Sequence, residues 1–212
     1  MSLDLFEVLQ VEINGIAEVH FYVKPVLNRA LQAHTITPAG KMMIGEYDSM
    51  YEYWQSKHGD KWFDMSTVVR LGTAIENNLK RYYMEKKGHA TLADLRNDPR
   101  FDKGIFQRVQ SWQTNGVLQL YNDELSFDLK ANPHLPSAQE LMMHRHLYAH
   151  NSGLLDDEYI DRIQTITGQD IRKHPDFKFL PYPTEDTYWF EPLQRLPIFI
   201  EEARGFFRQF PS

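Results

Sequence analysis

Cysteine is missing from all 212 residues, which excludes disulfides and thiolate metal sites. That suits a reducing compartment, and a cytoplasmic location is the expectation. No stretch approaches the roughly 18 uninterrupted apolar residues of a membrane helix. The amino terminus carries no basic segment followed by an apolar run, so no signal peptide is expected either. Positive charge is in deficit: 23 Lys and Arg against 29 Asp and Glu give a net charge of −6. Broad electrostatic binding to nucleic acid is therefore disfavoured, and a nucleic-acid substrate would need a local basic site. Lys80, Arg81, Lys86 and Lys87 form one basic cluster, although a solvated helix face explains it more simply. Glycine-rich phosphate loops and a G-x-S-x-G elbow are both missing. After the first 25 residues few runs alternate apolar and polar with period two, so strands have little support.

What is present is apolar mass and helical spacing. Hydrophobic residues make up 42% of the chain, with 13 Phe, 11 Tyr and four Trp. That supplies a buried core and argues against disorder. Residues 3–33 read as mostly helical, with Ile16, Val19, Val23, Val26 and Ala30 on one stripe. A hairpin turning at Asn14-Gly15 is the competing reading, and Pro25 predicts a kink or break. Met43, Ile44, Tyr47, Met50, Tyr51 and Trp54 recur at helical spacing over about 41–57, more simply as core than as a ligand pocket. Ser66 is a candidate N-cap for a helix reaching Lys87, with Gly88 as its stop. Its stripe is Val68, Leu71, Ile75, Leu79 and Tyr82; Glu76 lies about 100° from the stripe's centre, at its margin.

Thr91 predicts a cap for a short helix over 92–97. Ile105, Phe106, Val109 and Trp112 resume helical spacing, and another short helix follows over 117–125. Ser137 with Glu140 has capping-box spacing before the next helix, for which Gly153 is a candidate C-terminal cap. Asp156, Asp157 and Glu158 open a further helix that ends near Gly168. Residues 169–183 read as irregular, and 184–187 as a helix start. The last helix carries Trp189, Leu193, Leu196, Ile200, Ala203, Phe207 and Phe210, with Pro192 and Pro197 implying a late start or a kink; such a seam must be buried against other helices or a second subunit. The expected architecture is all-α. An N-terminal helical extension over residues 1–60 precedes a bundle of four to five main helices over 64–212.

The chemistry concentrates in one stretch, His144-Arg145-His146-Leu147-Tyr148-Ala149-His150-Asn151-Ser152-Gly153. His146 and His150 stand four apart, the spacing of helical zinc ligands. The H-E-x-x-H signature is absent and no second His/Asp/Glu cluster stands out, so neither metal nor cofactor is expected. Ser152 near His150 has no elbow around it to make a hydrolase. Acid-base chemistry fits better. His150 can move a proton near neutral pH, and Arg145 can hold a phosphate through its fork. Together they supply what RNA cleavage by a 2′-hydroxyl requires. Five residues, however, put the two about 140° apart on an ideal helix. The helix end must distort near Asn151, the arginine must reach around, or two chains must bring their motifs together.

Arg145 to His150 is an R-x4-H motif with a polar residue, His146, directly after the arginine. The tail Asn151-Ser152-Gly153 and then Leu155-Asp156 follow. This resembles the HEPN superfamily, and in particular members found in bacterial defence, abortive-infection and toxin–antitoxin systems. The segment Leu71 to Tyr83 resembles the first bundle helix of such proteins. The resemblance covers about Ser66 to the C-terminus and does not extend to residues 1–60. It implies an all-helical, metal-independent endoribonuclease, a homodimer whose motifs meet in a cleft, and an antitoxin or other partner protein. It makes Arg145 and His150 catalytic, with His146 supporting them and Glu76 as the acidic residue from the first bundle helix. Asn151 and Ser152 are candidate substrate contacts. The family also includes inactive members, so a non-catalytic dimerisation or ligand-binding module is the alternative, favoured by the seam over 189–210 and the net charge.

Overall fold

One 29-residue helix, α4 (Gly59–Lys87), sets the arrangement of the rest. In the computed structural model, residues 5–35, 47–101, 104–106, 112, 116–151, 153–173, 177–181, 188–192 and 195–211 are described. The α4 helix buries residues on nearly every side, from Met65 and Val68 through Leu71, Ala74 and Ile75 to Leu79, Tyr82 and Tyr83. A helix packed all round is a core element and not an amphipathic surface helix. It starts seven residues before Ser66, the expected cap. Its end is as expected: Gly88 takes φ +70°, with Lys86 and Lys87 in the last turn. That left-handed cap is cheap for glycine, and the two cations suit the helix dipole.

Before it come α1 (Leu5–Glu18), a π-helical turn (Val19–Val23), α2 (Lys24–Gln32) and α3 (Met50–Ser56). Helix therefore replaces the competing hairpin at Asn14-Gly15. The π turn sits just ahead of Pro25, whose missing N–H and bulky ring cannot continue an ordinary α-helical ladder. The expected stripe fails for the same reason. One residue added to a turn swings everything after it by about 100°. Leu9, Ile13 and Ile16 are buried, whereas Val23 and Val26 are about half exposed. The π turn and α2 are tied to α4 by polar contacts: His20 Nδ1 to Thr67 Oγ1 (3.2 Å), Lys24 to Asp64, and Asn28 to Asp60 (2.9 Å). Ser49 caps α3 by accepting from the Glu52 N–H. Of the stripe expected over 41–57, Met43 and Ile44 lie outside the described residues, and no residue of α3 is fully buried.

After α4 come α5 (Leu92–Asn97), with a capping box between Thr91 and Asp94, and α6 (Val117–Leu125). The helical spacing at Ile105–Trp112 falls largely outside the described residues, although Phe106 and Trp112 are buried. Next are α7 (Leu135–Asn151) and α8 (Asp157–Thr167), the latter capped by Asp156 and closed by Gly168 at φ +70°. The α7 helix begins at Leu135, not Ser137. Glu140 does not serve a capping box: it faces inward to His144 and Arg195.

The region expected to be irregular holds β1 (Phe177–Pro181), and β2 (Tyr188–Pro192) takes the place of the expected first turn of the last helix, around Trp189; the two pair antiparallel in register from Phe177↔Pro192 to Pro181↔Tyr188. The helix start expected over 184–187 lies outside the described residues. Helix α9 (Arg195–Arg208) thus starts after Trp189, with Pro197 in its first turn, where a missing N–H costs nothing. It buries Leu196, Phe199, Ile200, Ala203, Phe206 and Phe207 within the chain. The architecture is mostly helical, with this one two-stranded ribbon among the described residues. The α4 helix packs against α1, α3, α6, α7 and α9. Leu9 and Ile13 of α1 join the same core as the bundle helices.

Candidate functional site

The site begins with a close approach. Where α4 crosses α7, Gly72 lies beneath the aliphatic stem of Arg145. A Cβ at position 72 would fall 2.6 Å from Arg145 Cδ and 2.9 Å from its Cβ. Glycine lets the two backbones come near enough for Arg145 to lie across α4. Its guanidinium then meets Glu76 one turn further along: Nη2 stands 2.8 Å from Glu76 Oε2. Arg145 Nε also points at Thr73 Oγ1, 3.3 Å away, and that hydroxyl donates to the Val69 carbonyl. Glu76 is only 3% exposed. It takes a second cation, the Lys80 ammonium, on its other oxygen. A buried carboxylate is tolerated only when paired, and here two cations pair it.

The motif histidines divide into three situations. His144 is wholly buried, with the Tyr159 hydroxyl on Nδ1 and Glu140 Oε1 3.4 Å from Nε2. Glu140 in turn holds Arg195. Burial pushes the Glu140 carboxyl up, but the hydrogen bond and charge of His144 and the charge of Arg195 outweigh it and hold it below its ordinary value. His144 is thus a core group linking α7, α8 and α9. His146 is half-buried. Burial lowers its pKa, as do the charges of His150, Arg162 and Arg145, while Asp156 acts the other way. His150 is exposed in the last turn of α7. Its ring centroid lies 4.6 Å from that of His146.

The helix end is fixed by its neighbours. Asn151 Nδ2 donates to Asp156 Oδ2 at 2.9 Å, and Asp156 Oδ1 accepts the Tyr159 N–H. Gly153 takes φ +81° against Met65 and Tyr148. Ser152 lies outside the described residues. Between α1 and α4, a groove of about 570 Å³ lined by Val11, Ile16, Val19, Val69 and Arg70 runs up to Thr73. Among the described residues no group of three or more His, Asp or Glu gathers as a metal site.

The structure therefore joins Glu76 to Arg145 and His146 to His150, but no hydrogen bond or ion pair links Arg145 to His150. The α7 helix stays α-helical through Asn151, so no distortion brings the two onto one face. Three participants escaped the sequence reading. In sequence Gly72 stands out only as part of a resembling segment, and Thr73 gives no signal of its own. Lys80 reads as part of a solvated basic face, although its place four residues after Glu76 marks an ion pair.

By fold and site this is a helical bundle whose longest helix carries a buried carboxylate clamped to an arginine of the motif helix. Compared with protein-family models, with curated proteins and with solved structures, the chain matches none.

Proposed function

We propose that this chain is a metal-independent endoribonuclease of the HEPN type, acting as a homodimer in a defence or toxin setting. The observation that carries the reading is the Glu76–Arg145 pair. It fixes a motif arginine at the α4–α7 crossing, on the same helix that presents His150 at its exposed end. In this reading His150 takes the proton from a ribose 2′-hydroxyl. The 2′-oxygen attacks the adjacent phosphorus, the O2′–P bond forms and the P–O5′ bond breaks. An imidazolium of the paired motif protonates the departing 5′-oxygen, and Arg145 stabilises the charge on the phosphoryl oxygens. The products are a 2′,3′-cyclic phosphate and a 5′-hydroxyl. His146 supports His150, and Asn151 and Ser152 are the candidate substrate contacts. Because one straight helix separates Arg145 and His150 by about 140°, two chains pair motif to motif so that each supplies part of the cleft.

The test is cleavage of total RNA in EDTA. Wild type cuts, and Arg145→Ala and His150→Ala lose about 10²–10⁴-fold in rate. Cells expressing wild type stop growing, and cells expressing either variant do not. Wild type that leaves RNA intact, with all three chains equal in cells, ends the proposal.

A second reading, a non-catalytic helical module, has one observation in its favour: the Arg145 guanidinium is already engaged by Glu76 and Thr73. On that reading Arg145→Ala loosens the α4–α7 crossing and His150→Ala changes nothing.

A further inference from the structure

Two imidazoles, His146 half-buried and His150 exposed, stand at the end of α7. His146 and His150 are one helical turn apart on one face. Their ring centroids are 4.6 Å apart and their planes meet at 49°. Neither ring has a hydrogen bond or ion pair among the described residues. His20, His89, His134 and His144 differ, each being held by a hydroxyl or carboxylate. We infer that His146 and His150 form a two-nitrogen binding site for a divalent transition-metal ion, with Zn²⁺ as the working example.

Ring geometry supports the pairing. A tetrahedral ion bound by one nitrogen of each ring at about 2.0–2.1 Å places the two ring centroids about 5 Å apart. The rings stand a few tenths of an ångström inside that separation. Arg145 and Arg162 are the cations of the neighbourhood. Each is already paired with a carboxylate, Glu76 and Glu158 respectively, so the positive charge facing the site is reduced. Two ligands from one chain leave the other positions for water or for the same pair of a second copy. Imidazole without thiolate suits Zn²⁺, Ni²⁺ and Cu²⁺, and does not suit Mg²⁺ or Ca²⁺. If the nuclease reading holds, the bound ion occupies the His150 lone pair that the reaction needs, so the ion acts as a reversible inhibitor. The regulatory part rests on that reading; the binding part does not.

The experiment is calorimetric titration of the full chain with ZnCl₂, followed by CuCl₂ and MgCl₂, beside His150→Ala, His146→Gln and a His34→Ala control. The expected result is one Zn²⁺ per chain, or one per two chains, with Cu²⁺ tighter and Mg²⁺ silent. Losing one of two chelating ligands weakens binding about a hundredfold, and the His34 variant matches wild type. His150 is exposed, so its variant keeps the fold, and circular dichroism checks this. Zinc binding unchanged in His150→Ala, or equal binding of Mg²⁺, overturns the site. RNA cleavage read in parallel separates the two claims. Cleavage in EDTA that Zn²⁺ abolishes supports both. No cleavage in EDTA with histidine-dependent zinc binding retains the site and removes the nuclease.

Discussion

Replacing Glu76 by glutamine removes one buried negative charge and leaves two cations, Arg145 and Lys80, facing a neutral group. The carboxylate side chain is 4% exposed, the arginine 15% and the lysine 19%. Breaking a buried ion pair by removing one partner costs about 3–5 kcal/mol. Both cations keep some access to water and can turn toward it, so the lower end, about 3 kcal/mol, is the expectation. With a urea slope of about 2–3 kcal/mol per molar, the unfolding midpoint falls by about 1 M. The same cycle then takes Arg145→Met alone and together with Glu76→Gln. If the pair acts as a unit, the double variant is more stable than the sum of the singles by about 1–3 kcal/mol. A midpoint shift below about 0.2 M, or strict additivity, refutes the view that Glu76 clamps α7 to α4.

Gly72→Ala gains about 1 kcal/mol of helix propensity but drives a methyl against the Arg145 stem, so a net loss of about 1–2 kcal/mol is expected in thermal unfolding; a stabilised variant contradicts the close approach. Glu140 is held below its ordinary value of 4.5 in the folded chain. Its contribution is therefore full above that value and is lost as pH falls through the folded one. Glu140→Gln should lower stability at pH 7 and flatten the acid limb of a pH–stability curve, and an unchanged limb would contradict the Glu140–His144–Arg195 linkage.

Much of the helical layout was legible because its signals are local. The Gly88 stop, the Thr91 cap, the acidic helix start at Asp156 to Glu158 and the Gly168 stop each act on backbone groups within a few residues. Errors arose where a distant partner decided. Glu140 has capping-box spacing after Ser137, but Arg195, 55 residues away, and His144 draw it inward. The β1–β2 ribbon was hidden by its proline-rich flanks and by an acidic Thr184–Thr187 segment that resembles a helix start. The stripe over residues 3–33 assumes a constant angle per residue, which a π turn breaks. At the site, the motif and the margin position of Glu76 were both readable. That Glu76 and Arg145 would touch was not, because it depends on the missing side chain at Gly72.

The π turn has a geometric consequence of its own. From Leu5 to Gln32 the chain is helical without interruption, yet it meets α4 at two separate places. Ahead of the turn Leu9, Ile13 and Ile16 are buried and Glu12 accepts from Asn78; beyond it Lys24 and Asn28 reach Asp64 and Asp60, and Leu31 is buried. A straight α-helix would have carried one face along its whole length. The extra residue turns the face of the rod by about 100°, so that a single continuous helix holds both the middle of α4 and its acidic start.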